Sequence, residues 1–132
     1  NVLSETTRPQ PNARVLDWIS GQDPTSLFIS VITIGELRRG AGLLPPGKKR
    51  NSLLNWIEAD LKVGFTERIL PLDIDVMKYW ADLVVPCRKN GRSLPLMDSL
   101  IAATAQAHDF TVVTRNTSDF QEGGVRLINP WG

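Results

Sequence analysis

The run Leu27-Phe28-Ile29-Ser30-Val31-Ile32 is short, β-branched and almost continuously apolar. A strand that is apolar on both faces needs cover on both, and parallel sheets obtain it from the helices that connect their strands. That requirement constrains the rest of the chain. Further strands are expected at Ile69-Leu70-Pro71-Leu72, an edge because Pro71 cannot donate to a ladder, at Phe110 to Thr114 and at Val125 to Ile128. Helical spacing fills the intervals. Asn12 reads as an N-cap for a helix through Val15, Leu16 and Ile19 that stops at Gly21. Thr33 to Leu44, Lys48 to Leu61 and Asp75 to about Lys89 follow, with Pro86 expected to bend or shorten the last turn of the third. Strands alternating with helices predict an α/β fold in one domain over residues 1–132, with a mainly parallel central sheet flanked by helices.

Composition removes several kinds of chemistry. Cys87 and His108 each stand alone, which excludes an internal disulfide and a cysteine-rich zinc site and leaves little for a histidine-based one. Any metal must be held by oxygen, which favours Mg²⁺ or Mn²⁺. The 15 Lys and Arg nearly balance the 14 Asp and Glu, so overall charge makes no case for a polyanion partner and none against a local basic patch. No apolar run approaches the roughly 18–20 residues of a membrane span, and no signal peptide is evident; a cytoplasmic protein with no membrane contact is expected.

The most informative stretch is Leu94 to Ala105, a helix start with Asp98 set into a small, apolar face shared with Ile101, Ala102 and Ala105. A charge on the face a helix lays on a sheet needs a partner. Ligand sites of parallel α/β sheets lie off the carboxyl ends of the strands. Three acids are expected there: Glu36 after the first strand run, Asp98 at its helix start and Asp119 after the Phe110–Thr114 strand, with Asn116 beside the last. Each has a simpler explanation. Thr33-x-x-Glu36 fits a capping box, Asp98 fits an N-cap, Asp119 fits a cap before Phe120, and Asn116 suits a tight turn. Capping does not require caps to fall at the ends of neighbouring strands, so the set as a whole points to one or two divalent ions acting on a phosphodiester.

Asn1-Val2-Leu3-Ser4-Glu5, Ile32-Thr33-Ile34-Gly35-Glu36-Leu37, Met97 to Ala105 and Val113-Thr114-Arg115-Asn116-Thr117-Ser118-Asp119-Phe120 resemble, in order, the motifs of PIN-domain ribonucleases. The likeness is greatest to the VapC and FitB group of toxins from type II toxin–antitoxin systems, and it extends to Asn129-Pro130-Trp131. It implies a PIN-like three-layer sandwich. It also implies that Glu36, Asp98 and Asp119 bind Mg²⁺ or Mn²⁺, with Asn116 in the same pocket and Thr114 as the hydroxyl at the strand end. A metal-activated water would then attack RNA phosphorus in line, leaving a 3′-hydroxyl and a 5′-phosphate. Relatives carry their first acid in an Asp-Thr-Asn sequence, and this chain starts at the Asn of that motif. The first strand is therefore expected to be largely missing, the domain to be N-terminally truncated, and the chain as given to be inactive while its parent is active.

RNA contacts are expected from Arg38 and Arg39, with Arg115, Lys48-Lys49-Arg50 and the Arg88, Lys89 and Arg92 group as further candidates; solvated helix faces explain these equally well. The resemblance further implies a homodimer inhibited by a cognate antitoxin. The apolar stripes Leu53-Leu54-Trp56-Ile57 and Met77-Tyr79-Trp80-Leu83 are expected to serve mainly as core, with a share in a partner surface. The rival reading is a non-catalytic PIN-like module that binds RNA or protein.

Overall fold

A computed structural model describes residues 1–121 and 124–132. It resolves into two compact units, Asn1–Asp23 with Leu72–Gly132, and Pro24–Pro71. In chain order the first elements are α1 (Val2–Glu5) and α2 (Ala13–Ser20). Val2 and Leu3 are part of a helical turn flanked by Asn1. Helix α2 is as expected: the Asn12 side chain accepts from the backbone N–H groups of Arg14 and Val15, and the chain leaves at Gly21. Glu5 is 6 % exposed, and its carboxylate accepts the Asn12 N–H at 2.9 Å and faces Arg8 at 3.5 Å.

The Pro24–Pro71 unit holds β1 (Ile29–Ser30), α3 (Val31–Gly42), α4 (Lys48–Asn55), a wider π-helical segment at Trp56–Leu61, α5 (Lys62–Gly64) and β2 (Ile69–Leu70). β1 and β2 are parallel, with Ile29 opposite Ile69 and Ser30 opposite Leu70. The expected strand through Ile32 is cut short because Ser30 caps α3, its hydroxyl accepting from Ile32 N at 3.0 Å. Short apolar runs do not separate strand from helix by periodicity alone. The long helix from Lys48 forms but widens after Asn55, where Ile57 and Leu61, four residues apart, are both buried. Arg68 staples the unit. Its guanidinium donates to the carbonyls of Pro24, Leu27 and Gly64, and lies 5.1 Å from the centre of the Phe65 ring.

The other unit continues with α6 (Ile74–Lys89), α7 (Leu96–Ala107), β3 (Val112–Val113), α8 (Thr117–Phe120) and β4 (Leu127–Ile128). Asp73 caps α6 by accepting from Val76 N. Pro86 lies inside α6 without ending it, so the expected shortening does not occur. α6 packs along α7, whose Ala102, Ala103 and Ala105 are buried. One cluster joins Leu83, Ala102, Ala105, Val112, Phe120 and Val125. β3 and β4 are parallel, Val112 opposite Leu127 and Val113 opposite Ile128. The strands thus form two parallel pairs, each within its own unit, among the described residues.

α6 and α7 end in the same way. Arg92 N donates to Cys87 O and Gly91 N to Arg88 O; Phe110 N donates to Ala105 O and Asp109 N to Gln106 O. Gly91 has φ +70° with open space around it, so Gly91→Ala meets only the backbone cost and should destabilise by about 1 kcal/mol. Gly35 lies inside α3, also in open space, so Gly35→Ala should stabilise by about 0.5–1 kcal/mol. Urea midpoints of the two variants should move in opposite directions.

Candidate functional site

The end of β3 is the most closely connected part of the predicted site. Thr114 is 5 % exposed, and its Oγ1 accepts from the Asn1 side-chain Nδ2 at 3.2 Å and from the Asn116 backbone N–H at 3.1 Å. Arg115 N donates to Asn1 Oδ1 at 3.4 Å. Asn116 flanks α8 without a side-chain cap bond, and its carbonyl accepts from Asp119 N at 3.1 Å. Asp119 is the third residue of α8 and exposed, not a cap before Phe120. The residue that anchors α8 is Phe120, buried against Ala102 and Ala105 of α7.

Asp98 is the third residue of α7 and half-buried. The cap position belongs to Pro95, so the N-cap explanation fails, and the favourable charge–dipole contact of a first-turn acid, about 0.3–1 kcal/mol, is what remains of it. The next residue, Ser99, is 1 % exposed; its hydroxyl accepts from Trp80 Nε1 at 2.9 Å and donates to Leu96 O at 2.6 Å. This bond ties the turn that carries Asp98 to α6. Sequence reasoning missed Ser99, although a serine on the apolar face of a helix opposite a tryptophan is a signal.

Glu36 lies on α3 in the Pro24–Pro71 unit and is exposed. Since Ser30 caps α3, Thr33 sits inside the helix and the capping-box explanation of Glu36 does not hold. Arg38 is ion-paired with Glu58, whose other carboxylate oxygen takes Lys62 Nζ at 3.0 Å. Arg39 is exposed in the last turn of α3. Arg115 stacks its guanidinium 5.5 Å from the centre of the Trp131 ring, and Arg14 donates to the Trp131 carbonyl at 3.3 Å. All four tryptophans are half-buried. Of the apolar stripes, Ile57 and Leu83 are buried, whereas Met77 and Tyr79 are exposed on α6.

The residues the sequence motifs imply as cation ligands or their neighbours, Asp98, Asp119, Glu36, Thr114 and Asn116, offer hard oxygens and no thiolate or imidazole. This set suits Mg²⁺ or Mn²⁺ and does not suit zinc. Within each unit, taken by itself, the described residues gather no group of three or more His, Cys, Asp or Glu side chains in metal-binding range.

The PIN domain family model matches residues 1–124. The chain belongs to the PIN-domain family. It is 44 % identical over 131 residues to the plasmid stability protein StbB of Pseudomonas syringae pv. tomato, covering 99 % of this chain and 94 % of that protein. It is 40 % identical, with the same coverage, both to the VapC ribonuclease Y4jK of Sinorhizobium fredii and to the toxin FitB of Neisseria gonorrhoeae. Among solved structures, FitAB bound to an IR36 DNA fragment matches with a TM-score of 0.93 and 39 % identity, over 100 % of this chain and 92 % of that one. The family and the α/β fold are those the sequence motifs implied.

Two outcomes test these contacts. Ser99→Ala leaves the Trp80 indole N–H without its acceptor and should cost about 1–3 kcal/mol, read as a lower urea midpoint. The Glu58 carboxyl is held below the usual carboxylate value, first by the Lys62 hydrogen bond and charge and then by Arg38. A lowered folded-state value means that the pair's contribution is present above the ordinary carboxylate range and is lost as pH falls through the lowered value. A carboxyl NMR titration should place Glu58 below a reference glutamate, and Lys62→Met should bring it back up.

Proposed function

We propose that residues 1–132 act as one PIN domain whose work is endoribonucleolytic cleavage, and that the protein is a toxin held in check by a cognate antitoxin protein. The observation that carries this reading is the 40 % identity, over 99 % of the chain, to a protein named as a VapC ribonuclease and to one named as a toxin. Support comes from the failure of the capping explanations for Glu36 and Asp98, because Ser30 caps α3 and Pro95 stands at the cap position of α7.

In this reading Asp98, Asp119 and Glu36 hold Mg²⁺ or Mn²⁺. When bound, such an ion neutralises phosphate charge and lowers the pKa of its water. Asn116 and Thr114 face the scissile phosphate with an amide and a hydroxyl. Hydrolysis joins a water oxygen to phosphorus and breaks the bond to the 3′ oxygen, leaving a 3′-hydroxyl and a 5′-phosphate. Arg39 is assigned to the RNA backbone. Arg38 and Arg115 can join it only by exchanging the Glu58 ion pair and the Trp131 ring for phosphate.

The protein is further proposed to be cytoplasmic and homodimeric. No described helix is long and apolar enough to cross a membrane. Exposed Ile74 and Met77, with Leu72, line an open groove on α6 that offers apolar surface to a partner.

The test is cleavage of a structured RNA by the full-length protein and by Asp98→Asn, each with Mg²⁺ or Mn²⁺. The substitution should reduce cleavage on the order of a hundredfold or more in a protein that circular dichroism shows to be still folded. Equal cleavage by both proteins, or cleavage by neither, overturns the enzyme assignment; RNA binding without cleavage would favour a non-catalytic module.

A further inference from the structure

Thr114 Oγ1 accepts two hydrogen bonds, one from Asn1 Nδ2 and one from Asn116 N. A hydroxyl oxygen has two lone pairs and one proton. With both lone pairs engaged, the proton is the only bonding capacity left. The direction of the Asn1 amide is not arbitrary. Arg115 N–H can only donate, so the atom facing it at 3.4 Å is the amide oxygen, which leaves the NH₂ group for Thr114. Asn1 therefore reads the backbone at Arg115 with one end and fixes the polarity of the Thr114 hydroxyl with the other.

We propose that Asn1 is a positioning residue: through this pair of bonds it converts Thr114 into a dedicated donor, aimed at a phosphate oxygen of the RNA. The inference rests on the nuclease reading for the identity of the anion, and on the hydrogen bonds for the mechanism. A hydroxyl free to rotate divides its time between donating and accepting. One whose lone pairs are occupied offers an anion its proton without a reorientation cost, and a hydrogen bond to a charged group is worth more than a neutral one. Asn1→Ala frees a lone pair. Asn1→Asp does more, since it places a carboxylate oxygen where the NH₂ group stood and draws the Thr114 proton back toward the protein.

The test uses the full-length protein and an RNA hairpin, with binding read by fluorescence anisotropy in Ca²⁺, which replaces Mg²⁺ to hold back cleavage; cleavage of the same hairpin in Mg²⁺ is measured in parallel. Asn1→Ala and Thr114→Ala should each weaken anisotropy binding roughly tenfold, the double variant should be no weaker than Thr114→Ala, and Thr114→Ser should restore most of the loss. Asn1→Asp should bind more weakly than Asn1→Ala. Circular dichroism melting of each variant separates these effects from unfolding, and Thr114→Ser with Asn1→Asp decides the matter if either alanine variant fails to fold. Additive losses in the double variant, or equal binding by Asn1→Asp and the parent, overturn the inference while leaving the nuclease assignment standing. Wild-type binding with the expected pattern but without cleavage overturns the nuclease assignment alone. An absence of hairpin binding by the parent overturns both.

Discussion

The packing of α6 on α7 is the contact on which the larger unit depends. Ala102, Ala103 and Ala105 give α7 a shallow surface that lets a neighbouring backbone approach, and Leu83, Val112, Phe120 and Val125 close around Ala102 and Ala105. Shallow packing alone leaves rotation about the helix axis weakly fixed. The indole of Trp80, hydrogen-bonded to a serine that also binds its own first turn, removes that freedom. Asp98 is the neighbour of that serine, so the placement of its carboxylate is inherited from a core contact.

The α8 turn is held by the same principle. Phe120 is buried while Asp119, one residue earlier, is exposed, so an apolar anchor sets the place of an acid that makes no such contact itself. The opposite arrangement governs Arg38. Its partner Glu58 is also taken by Lys62, and a cation already satisfied by a carboxylate must give it up before it can meet phosphate. A basic residue near a site is a weak predictor of contact with a polyanion for this reason.

Much of this was legible in the chain itself. Asn12 as a cap, the span of α6 and the helical setting of Asp98 follow from side-chain chemistry that acts within a few residues. What was not legible had competing local solutions. Ser30 could continue a strand or cap a helix, and its hydroxyl, by accepting Ile32 N, turned half of an apparent strand into α3. Pro86 fails to end α6 because the capped turn at Gly91, not the proline, sets where the helix stops. The Asn1 to Thr114 bond joins residues 113 apart in sequence, and no pattern of spacing announces such a pair. Family resemblance supplied the site residues; local chemistry alone left each acid tied with a cap.

The bracket around Trp131 has a bearing on the order of assembly. Arg14 holds its carbonyl, Arg115 covers its ring, and the partner strand of β3 lies only a few residues before it. Chains leave the ribosome from the N-terminus onward. Asn1 is made well before its partners and waits, while the strand that must align Thr114 and the indole that braces Arg115 follow only after β3. Vectorial synthesis thus postpones the finished geometry, and a nascent chain stalled short of β4 would carry Asn1 and Thr114 without the frame that orients them.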